Sequence, residues 1–342
     1  MGGSDSQDAR NGARLVPETP TPPWVRRSAA NPILTPADVP YPASLVFNPG
    51  VAKVGDRYLM VFRNDVAEAP GVPDFVETNL GLARSDDGVR WTVAPQPCLT
   101  MRTEEVVRVY DPRLVVLDGR AYLTVAVETR HGLRGGILAT DDFERFDPVD
   151  LTVPDNRNLA LFPERVAGRF LRLERPFPVY GRGGEHRFDI WLSRSPDLVH
   201  WGEAQVLLAV EDVPFANAKI GPGPPPVRTE RGWLAVFHAV DVDPARGRNG
   251  WEPAWRKRYT AGVMLLDLED PSRVVGLARE PILVPEAAYE TAGGFRNDVV
   301  FVSGMVLEPD GEVKLYYGAA DHVVALATAR LDDLLAACGA PP

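Results

Sequence analysis

The sequence predicts an all-β protein, specifically a single five-bladed β-propeller. Short apolar strands recur along the chain, Gly-containing turns separate them, and almost no segment shows helical periodicity. The strands also repeat in a fixed order: strand, Gly turn, strand, then a third strand that ends in a Ser/Thr-Asp turn before an aromatic residue. A β-sandwich would also contain many short strands, but it would not give this repeated order.

Five such units follow one another from Asn31 onward. The second unit is the clearest, because Asp111-Pro112-Arg113 opens an apolar strand and Asp118-Gly119 closes it with a hairpin signal. The first strands of the units cover residues 46–51, 109–117, 158–163, 219–221 and 298–301. The second strands begin near residues 58, 121, 169, 232 and 313. We therefore predict one propeller over residues 31–337 rather than two domains.

The composition narrows the class of protein. A chain of 342 residues that is 45% hydrophobic can bury a sizeable core, and a net charge of -10 argues against nucleic acid or an anionic membrane as partner. Cys98 and Cys338 provide no disulfide framework, which suits a reducing cytoplasm. No apolar run reaches membrane-spanning length, and residues 1–30 are predicted to be a disordered tail because they are polar and rich in Gly, Asp and Pro.

Polar side chains occupy equivalent places in the repeated units. Superposing the second strands aligns Arg63, Arg175 and His238 at their ends. Superposing the first strands adds Asn48, Asp111, Arg157 with Asn158, and Lys219, and Asp321 follows the second strand of unit five. Each residue alone is typical of a solvated charge or a structural histidine. Equivalent positions in a propeller face the same axial region, so together these cations predict an anion site.

An ordinary glycosidase needs two catalytic carboxylates, and the repeated units point clearly to only one. Asp111 is one candidate, and the second stays open among Asp65, Glu128, Glu290, Asp298 and Asp321. We expect no metal or cofactor, because the chain has no His pair or Cys cluster at ligand spacing and no Gly-rich phosphate loop before a helix.

The longest insertion, residues 241–258, falls in unit four and is predicted to be a loop over one face of the propeller. Its aromatic and basic residues suit a lid or an oligomer contact better than a core. They are Arg246, Arg248, Trp251, Trp255, Arg256 and Lys257.

Several ordered motifs resemble those of glycoside hydrolase family 130, the β-mannoside phosphorylases with a five-bladed propeller. They include Asn31-Pro32-Ile33-Leu34, Phe47-Asn48-Pro49-Gly50, Asp111-Pro112-Arg113, Lys219-Ile220-Gly221 and Tyr316-Tyr317-Gly318-Ala319-Ala320-Asp321. The resemblance spans about residues 31–336. Tyr110 departs from the family pattern, because an acid commonly precedes the Asp-Pro-Arg motif.

The resemblance implies reversible, inverting phosphorolysis of a β-mannoside in a central funnel-shaped active site. The products would be α-D-mannose 1-phosphate and a shortened sugar, which makes the enzyme a hexosyltransferase. Asp111 would be the single catalytic acid and would donate its proton through the 3-hydroxyl of the mannosyl unit. Inorganic phosphate would be the co-substrate in place of an activated water, so no second carboxylate is required.

The resemblance also assigns binding roles. The phosphate-binding residues would be Arg157, Asn158, Arg175, Lys219, His238 and Tyr259. The residues that bind the mannose-containing oligosaccharide would be Asn48, Arg63, Asp65, Arg113 and Asp321. Two alternatives stay open: an inverting β-mannosidase that uses water, and a carbohydrate-binding propeller without catalysis. A homo-oligomer is compatible with the sequence.

Overall fold

The computed structural model describes residues 16, 18–68, 74–178, 188–252 and 255–339. These residues form five antiparallel sheets, and the predicted five-bladed β-propeller is confirmed. The first strand in the chain, β1 (Arg26–Arg27), belongs to the last blade. None of the described helices is long and apolar enough to cross a membrane.

Each of the first four blades is a stretch of consecutive strands, with the inner strand first. Blade one contains β2 (Leu45–Val54), β3 (Arg57–Ala67), β4 (Phe75–Ser85) and β5 (Thr92–Val93). Blade two contains β6 (Val106–Leu117), β7 (Arg120–Thr129), β8 (Gly132–Thr140) and β9 (Asp147–Leu151). Blade three contains β10 (Asn156–Leu161), β11 (Phe170–Pro176), β12 (Ile190–Ser195) and β13 (Gly202–Leu208). Blade four contains β14 (Lys219–Pro222), β15 (Val227–Thr229), β16 (Gly232–Val242), β17 (Lys257–Leu266) and β18 (Val274–Leu277).

Blade five contains β19 (Val300–Leu307), β20 (Glu312–Ala319) and β21 (Val323–Arg330), with β1 as its outer strand. Among the described residues, helical structure is confined to short pieces outside the blade strands. These are 3₁₀ turns at Pro36–Asp38 and Val210–Asp212, α1 (Ala288–Thr291) and α2 (Leu331–Ala337).

The Ser/Thr-Asp motif forms the same hydrogen-bonded turn in three blades. After β4, the Ser85 hydroxyl accepts from Gly88 N at 2.8 Å, and Asp87 Oδ1 accepts from Arg90 N at 2.8 Å. Thr140 with Asp142, and Ser195 with Asp197, cap the turns after β8 and β12 in the same way. The side chains thus satisfy backbone donors that leave the sheet, which explains why the motif recurs at the end of the third strand.

The core is divided among the blades. One cluster of buried apolar side chains fills each of the five gaps between neighbouring blades. In the gap between blades three and four, for example, Phe162 packs edge-on against Trp233 with ring centroids 5.0 Å apart. The blades are therefore held together mainly by apolar burial between their faces.

The inner strands of blades one, two and three bulge at equivalent places. Asn48 (φ 49°), Asp111 (φ 53°) and Asn158 (φ 58°) adopt the left-handed conformation, and the strand register shifts at each of them. Asn and Asp tolerate this conformation better than other residues with a side chain. A bulge redirects a side chain away from the regular alternation of a strand, which is how three inner strands present polar groups at the same level.

The ring of five blades is closed by residues that we predicted from the sequence to lie in a disordered tail. β1 pairs with β21, and Arg27 forms a bidentate ion pair with the fully buried Glu290, at 2.8 Å and 2.9 Å. The prediction of a disordered tail is therefore wrong for residues 18–30, because they pair with and pack on blade five. Residues 1–15 and 17 lie outside the described part of the chain.

We predict that Arg27→Ala lowers the free energy of unfolding by about 3 kcal/mol, because it leaves the carboxylate of Glu290 buried without its cation. Urea denaturation followed by intrinsic tryptophan fluorescence would measure the change. Arg26→Ala is the matched control, since Arg26 lies in the same strand with an exposed side chain. Equal stability of the two variants would contradict this account of ring closure.

Candidate active site

Asp111 is the carboxylate at the centre of the site, and donors from both neighbouring blades hold it. It is 2% exposed. Its Oδ1 accepts from Asn48 Nδ2 at 2.8 Å and from Arg63 Nη1 at 3.2 Å, and its Oδ2 accepts from Arg157 Nη2 at 2.8 Å. Burial alone would raise the pKa of Asp111, but Arg63 and Arg157 outweigh it and lower the pKa to about 2. Without a ligand, Asp111 is therefore ionised at neutral pH.

Arg63 is held on several sides. Its Nη2 lies 2.7 Å from Asp65 Oδ2, and its guanidinium carbon lies 4.6 Å from the ring centre of Tyr110. Asp65 is fully buried, and its other oxygen accepts from the Thr78 hydroxyl at 2.7 Å. The prediction that Asp65 contacts the sugar directly is therefore wrong, because the carboxylate has no exposed surface. Asp65 acts through Arg63, whose position it controls.

Two cations and an imidazole form a cluster across blades three and four. They are Arg175 of blade three and Lys219 and His238 of blade four. Arg175 Nη1 donates to His238 Nε2 at 3.0 Å. A guanidinium can only donate, so His238 must be neutral, with its proton on Nδ1. Gly221 makes room for this contact, because a Cβ there would lie 2.5 Å from His238 Cε1 and 3.0 Å from Arg175 Cδ.

The two cations of this cluster, Arg175 and Lys219, lie close to other positive charges. In the part of the chain that the structure describes, neither Arg175 nor Lys219 forms an ion pair, and the buried Arg175 Nε and His238 Nδ1 have no hydrogen-bond partner. Burial and the neighbouring Arg157 lower the pKa of Arg175 to about 9. Burial and Arg175 also hold the pKa of Lys219 well below its usual range. A bound anion would relieve both desolvation and mutual repulsion.

Tyr259 and Asn158 complete the predicted phosphate-binding set. Lys219 Nζ lies 5.1 Å from the ring centre of Tyr259, which stacks between His238 and Trp255. Burial raises the pKa of Tyr259 to about 12, so its hydroxyl stays a neutral donor. Asn158 is buried at its bulge beside Arg157 and Arg175, which face each other across β10 and β11. The structure therefore brings all six predicted phosphate-binding residues together on these two blades.

Blade five contributes Asp321, together with an arginine that the sequence reasoning missed. Arg296 Nη1 lies 3.0 Å from Asp321 Oδ2, and its other nitrogens bind Glu252. Burial raises the pKa of Asp321, against the attraction of Arg296. A signal for Arg296 was present, because an Arg-Asn pair precedes the inner strand of unit five just as Arg157-Asn158 begins that of unit three.

Arg113 is a correction to the predicted sugar contacts. It is 1% exposed, donates from Nε to the carbonyl of Gly223, and donates from Nη2 to the carbonyl of Pro222 at 3.0 Å. Its guanidinium thus links the inner strand of blade two to blade four. The prediction that Arg113 binds substrate is wrong, because its side chain is buried and its donors serve the backbone.

Three of the candidates for a second catalytic carboxylate have other partners. Glu128 pairs with Arg108 at 2.6 Å, Glu290 pairs with Arg27, and Asp298 Oδ2 accepts from Asn249 Nδ2 at 2.7 Å. Among the described residues, no three His, Cys, Asp or Glu side chains are grouped as metal ligands.

The insertion is shorter than predicted, because β16 runs to Val242 and β17 begins at Lys257. Trp255 is also not a lid residue, since it is buried and stacks on Tyr259 with ring centroids 5.9 Å apart. Trp251, by contrast, is 41% exposed.

Comparison with known proteins identifies the family. The family profile described as beta-1,4-mannooligosaccharide phosphorylase, of glycoside hydrolase family 130, matches residues 18–339. The chain is 31% identical to the 1,2-beta-oligomannan phosphorylase of Thermoanaerobacter sp. (strain X514), over 91% of this chain and 98% of that protein. It is 29% identical to the beta-1,4-mannooligosaccharide phosphorylase of Ruminococcus albus, over 90% of this chain and 84% of that protein.

A solved structure agrees with this result. The beta-1,2-mannobiose phosphorylase from Listeria innocua, in complex with beta-1,2-mannobiose, superposes with a TM-score of 0.79 at 26% identity. The superposition covers 93% of this chain and 99% of that chain. The profile match and the similarity over nearly the whole chain lead to one conclusion: the protein belongs to glycoside hydrolase family 130.

Proposed function

We propose that the protein is an inverting β-mannoside phosphorylase. It cleaves a mannosyl oligosaccharide with inorganic phosphate and releases α-D-mannose 1-phosphate and a shortened sugar, in a reversible reaction. The observation that carries this proposal is a pair of cations, the buried Arg175 and the half-buried Lys219, which lie beside His238 and pair with no carboxylate of the described residues. The relatives compared above are named as phosphorylases of β-1,2- and β-1,4-linked mannosides, which supports the same reaction class.

Phosphate is the co-substrate, and no other cofactor is needed. Arg175, Lys219 and Arg157 supply positive charge, while His238 Nδ1 and the Tyr259 hydroxyl supply neutral donors. Phosphate carries nearly two negative charges at neutral pH, and these groups hold it in line behind the anomeric carbon. Asn48, Arg63 and Asp321 bind the mannosyl unit from blades one and five.

Asp111 must gain a proton before it can act as the acid, because its pKa in the empty site is about 2. Arg157 links the two sites: it binds Asp111 and faces Arg175 across the strand pair. A phosphate beside Arg157 competes for its guanidinium and places negative charge near Asp111, and both effects raise the pKa of Asp111.

The proton balance supports this coupling. Hydrogen phosphate brings one proton into the site. Mannose 1-phosphate leaves as a dianion without that proton, and the oxygen of the leaving group gains one proton. Asp111 therefore only transfers a proton that arrives with phosphate, and it does so through the 3-hydroxyl of the mannosyl unit. No second carboxylate is needed to activate a water.

The two alternative functions explain the site less well. A water-using β-mannosidase has no need for unpaired cations such as Arg175 and Lys219, which cost stability without a matching anion. A binding propeller needs hydroxyl partners and aromatic surfaces, but it does not need a carboxylate held by donors from both neighbouring blades.

We predict that turnover depends on phosphate. Incubation with β-1,2- or β-1,4-mannobiose should yield mannose 1-phosphate when phosphate is present, and less than about a hundredth of that rate in phosphate-free buffer, because no base activates water. Product analysis by ³¹P NMR and anion-exchange chromatography would measure both rates. Free mannose formed at the same rate without phosphate, and no mannose 1-phosphate with it, would identify a hydrolase.

The control for this experiment is Asp111→Asn. Loss of a positioned acid should lower kcat about 10²- to 10⁴-fold, while the affinity for phosphate persists because Arg175 and Lys219 are intact. Near-normal activity of the variant would remove Asp111 from the catalytic role.

A further prediction concerns stability. A lysine whose pKa is lowered in the folded state destabilises the fold at neutral pH, so Lys219→Met should raise the free energy of unfolding in the absence of phosphate. Phosphate at about 100 times its Kd should stabilise the wild type by about 2.7 kcal/mol and the variant by less than half of that.

Thermal and urea unfolding with and without phosphate would measure both effects. Arg84→Met, which replaces an exposed cation on β4, is the control and should keep the full response to phosphate. An unchanged phosphate response in Lys219→Met would contradict the assignment of Lys219. The affinity of the wild type for phosphate should also fall as pH rises through the lowered pKa of Lys219, since only its protonated form attracts the anion.

A further inference from the structure

Three aromatic rings from different parts of the chain meet beside the site. Phe75 begins β4 in blade one, Trp251 lies in the connection between β16 and β17, and Phe295 precedes β19. The Phe295 ring centre lies 5.2 Å from that of Phe75 and 5.7 Å from that of Trp251. Trp251 is 41% exposed, and the two phenylalanines are half-buried. We name these three residues the aromatic platform.

The aromatic platform is continuous with the sugar-binding part of the site. Arg296, next to Phe295, pairs with Asp321 at 3.0 Å on one side and with Glu252, next to Trp251, on the other. A backbone bridge between Gly250 and Arg296 fastens the connection to blade five at this point. One guanidinium therefore lies between the residue assigned to the mannosyl unit and the platform.

The chemistry of the surface suits a hexose. The apolar C–H face of a pyranose packs on aromatic rings, and its hydroxyls bond to nearby charged groups such as Glu252 and Arg296. Single exposed apolar residues are common on protein surfaces, whereas an exposed tryptophan that packs with two other aromatic rings indicates a binding surface. Such a subsite must be exposed, because the remaining sugar units of a bound oligosaccharide extend from the buried site into solvent.

We propose that Trp251, Phe75 and Phe295 form a subsite for a sugar unit on the leaving-group side, one unit beyond the residue attached to the cleaved bond. This inference rests on the proposed phosphorolysis. It makes the enzyme an oligosaccharide phosphorylase whose third sugar unit packs on the platform, whereas a disaccharide does not reach it.

The test is Trp251→Ala, assayed by phosphorolysis of the β-mannobiose and the β-mannotriose of the linkage that the wild type cleaves. We expect kcat/KM for the trisaccharide to fall about tenfold, which corresponds to about 1.4 kcal/mol of lost packing. The value for the disaccharide should change less than twofold, and the KM for phosphate should not change. Trp251→Phe should restore most of the trisaccharide activity.

Phe75→Leu, a change in a different blade, should produce the same selective loss and guards against a local folding defect at residue 251. Equal effects on both substrates, or no effect on either, would overturn the proposal. An altered oligomeric state on size exclusion, with an unchanged substrate preference, would also overturn it and assign the platform to a contact between copies.

Absence of phosphorolysis in the wild type would instead refute the proposed function. In that case calorimetric binding of the two sugars to the wild type and Trp251→Ala still decides the platform: a loss confined to the trisaccharide supports it, and any other result overturns it.

Discussion

The site depends on the way Asp111 is held between its neighbours. Asn48 and Arg63 approach it from blade one and Arg157 from blade three, so one carboxylate connects three consecutive blades. The arrangement is available because the inner strands bulge at Asn48, Asp111 and Asn158, where Asn and Asp can adopt positive φ. A regular strand would direct these side chains into the gaps between blades, which are filled by apolar residues.

The other half of the site is defined by charge that the protein leaves uncompensated. The buried Arg175 and the half-buried Lys219 lie close to Arg157 and pair with no carboxylate in the part of the chain that the structure describes, and their pKa values are lowered as a result. Proteins keep such unfavourable arrangements where function requires them. In the proposed function the missing partner is the substrate anion, so the charge that destabilises the empty enzyme would bind phosphate and, through Arg157, would raise the proton affinity of Asp111.

The fold was predictable because its signals are local. The Ser/Thr-Asp turns cap their own strands through side-chain hydrogen bonds, so the repeat is visible in the sequence and the blades follow from it. Asn48, Asp111 and Asn158 were recognisable for the same reason, because they recur at one place in the repeat. Long-range features were not predictable. β1 has only two residues, and its partner strand lies at the other end of the chain, so a polar N-terminal segment gave no sign of closing the ring.

The misassigned residues show a second limit. Arg113 lies on an inner strand and Arg63 on a second strand, and the sequence predicted that both bind the sugar. In the structure, the guanidinium of Arg113 donates to backbone carbonyls of blade four, whereas that of Arg63 donates to Asp111. Trp255 looked like a surface residue because it lies in an insertion, but it packs against Tyr259. Which neighbour a long side chain meets depends on the packing of distant blades, and the repeat pattern contains no information about that.

The most direct test of the central claim is to locate the anion. Arsenate is isosteric with phosphate, and its anomalous scattering identifies the arsenic atom without ambiguity in a crystal of the protein grown with it. The account predicts one strong peak within hydrogen-bonding reach of Arg175 and Lys219, beside Arg157 and on the blade-three and blade-four side of Asp111. A peak elsewhere, or none there at arsenate concentrations that saturate binding in solution, would contradict it.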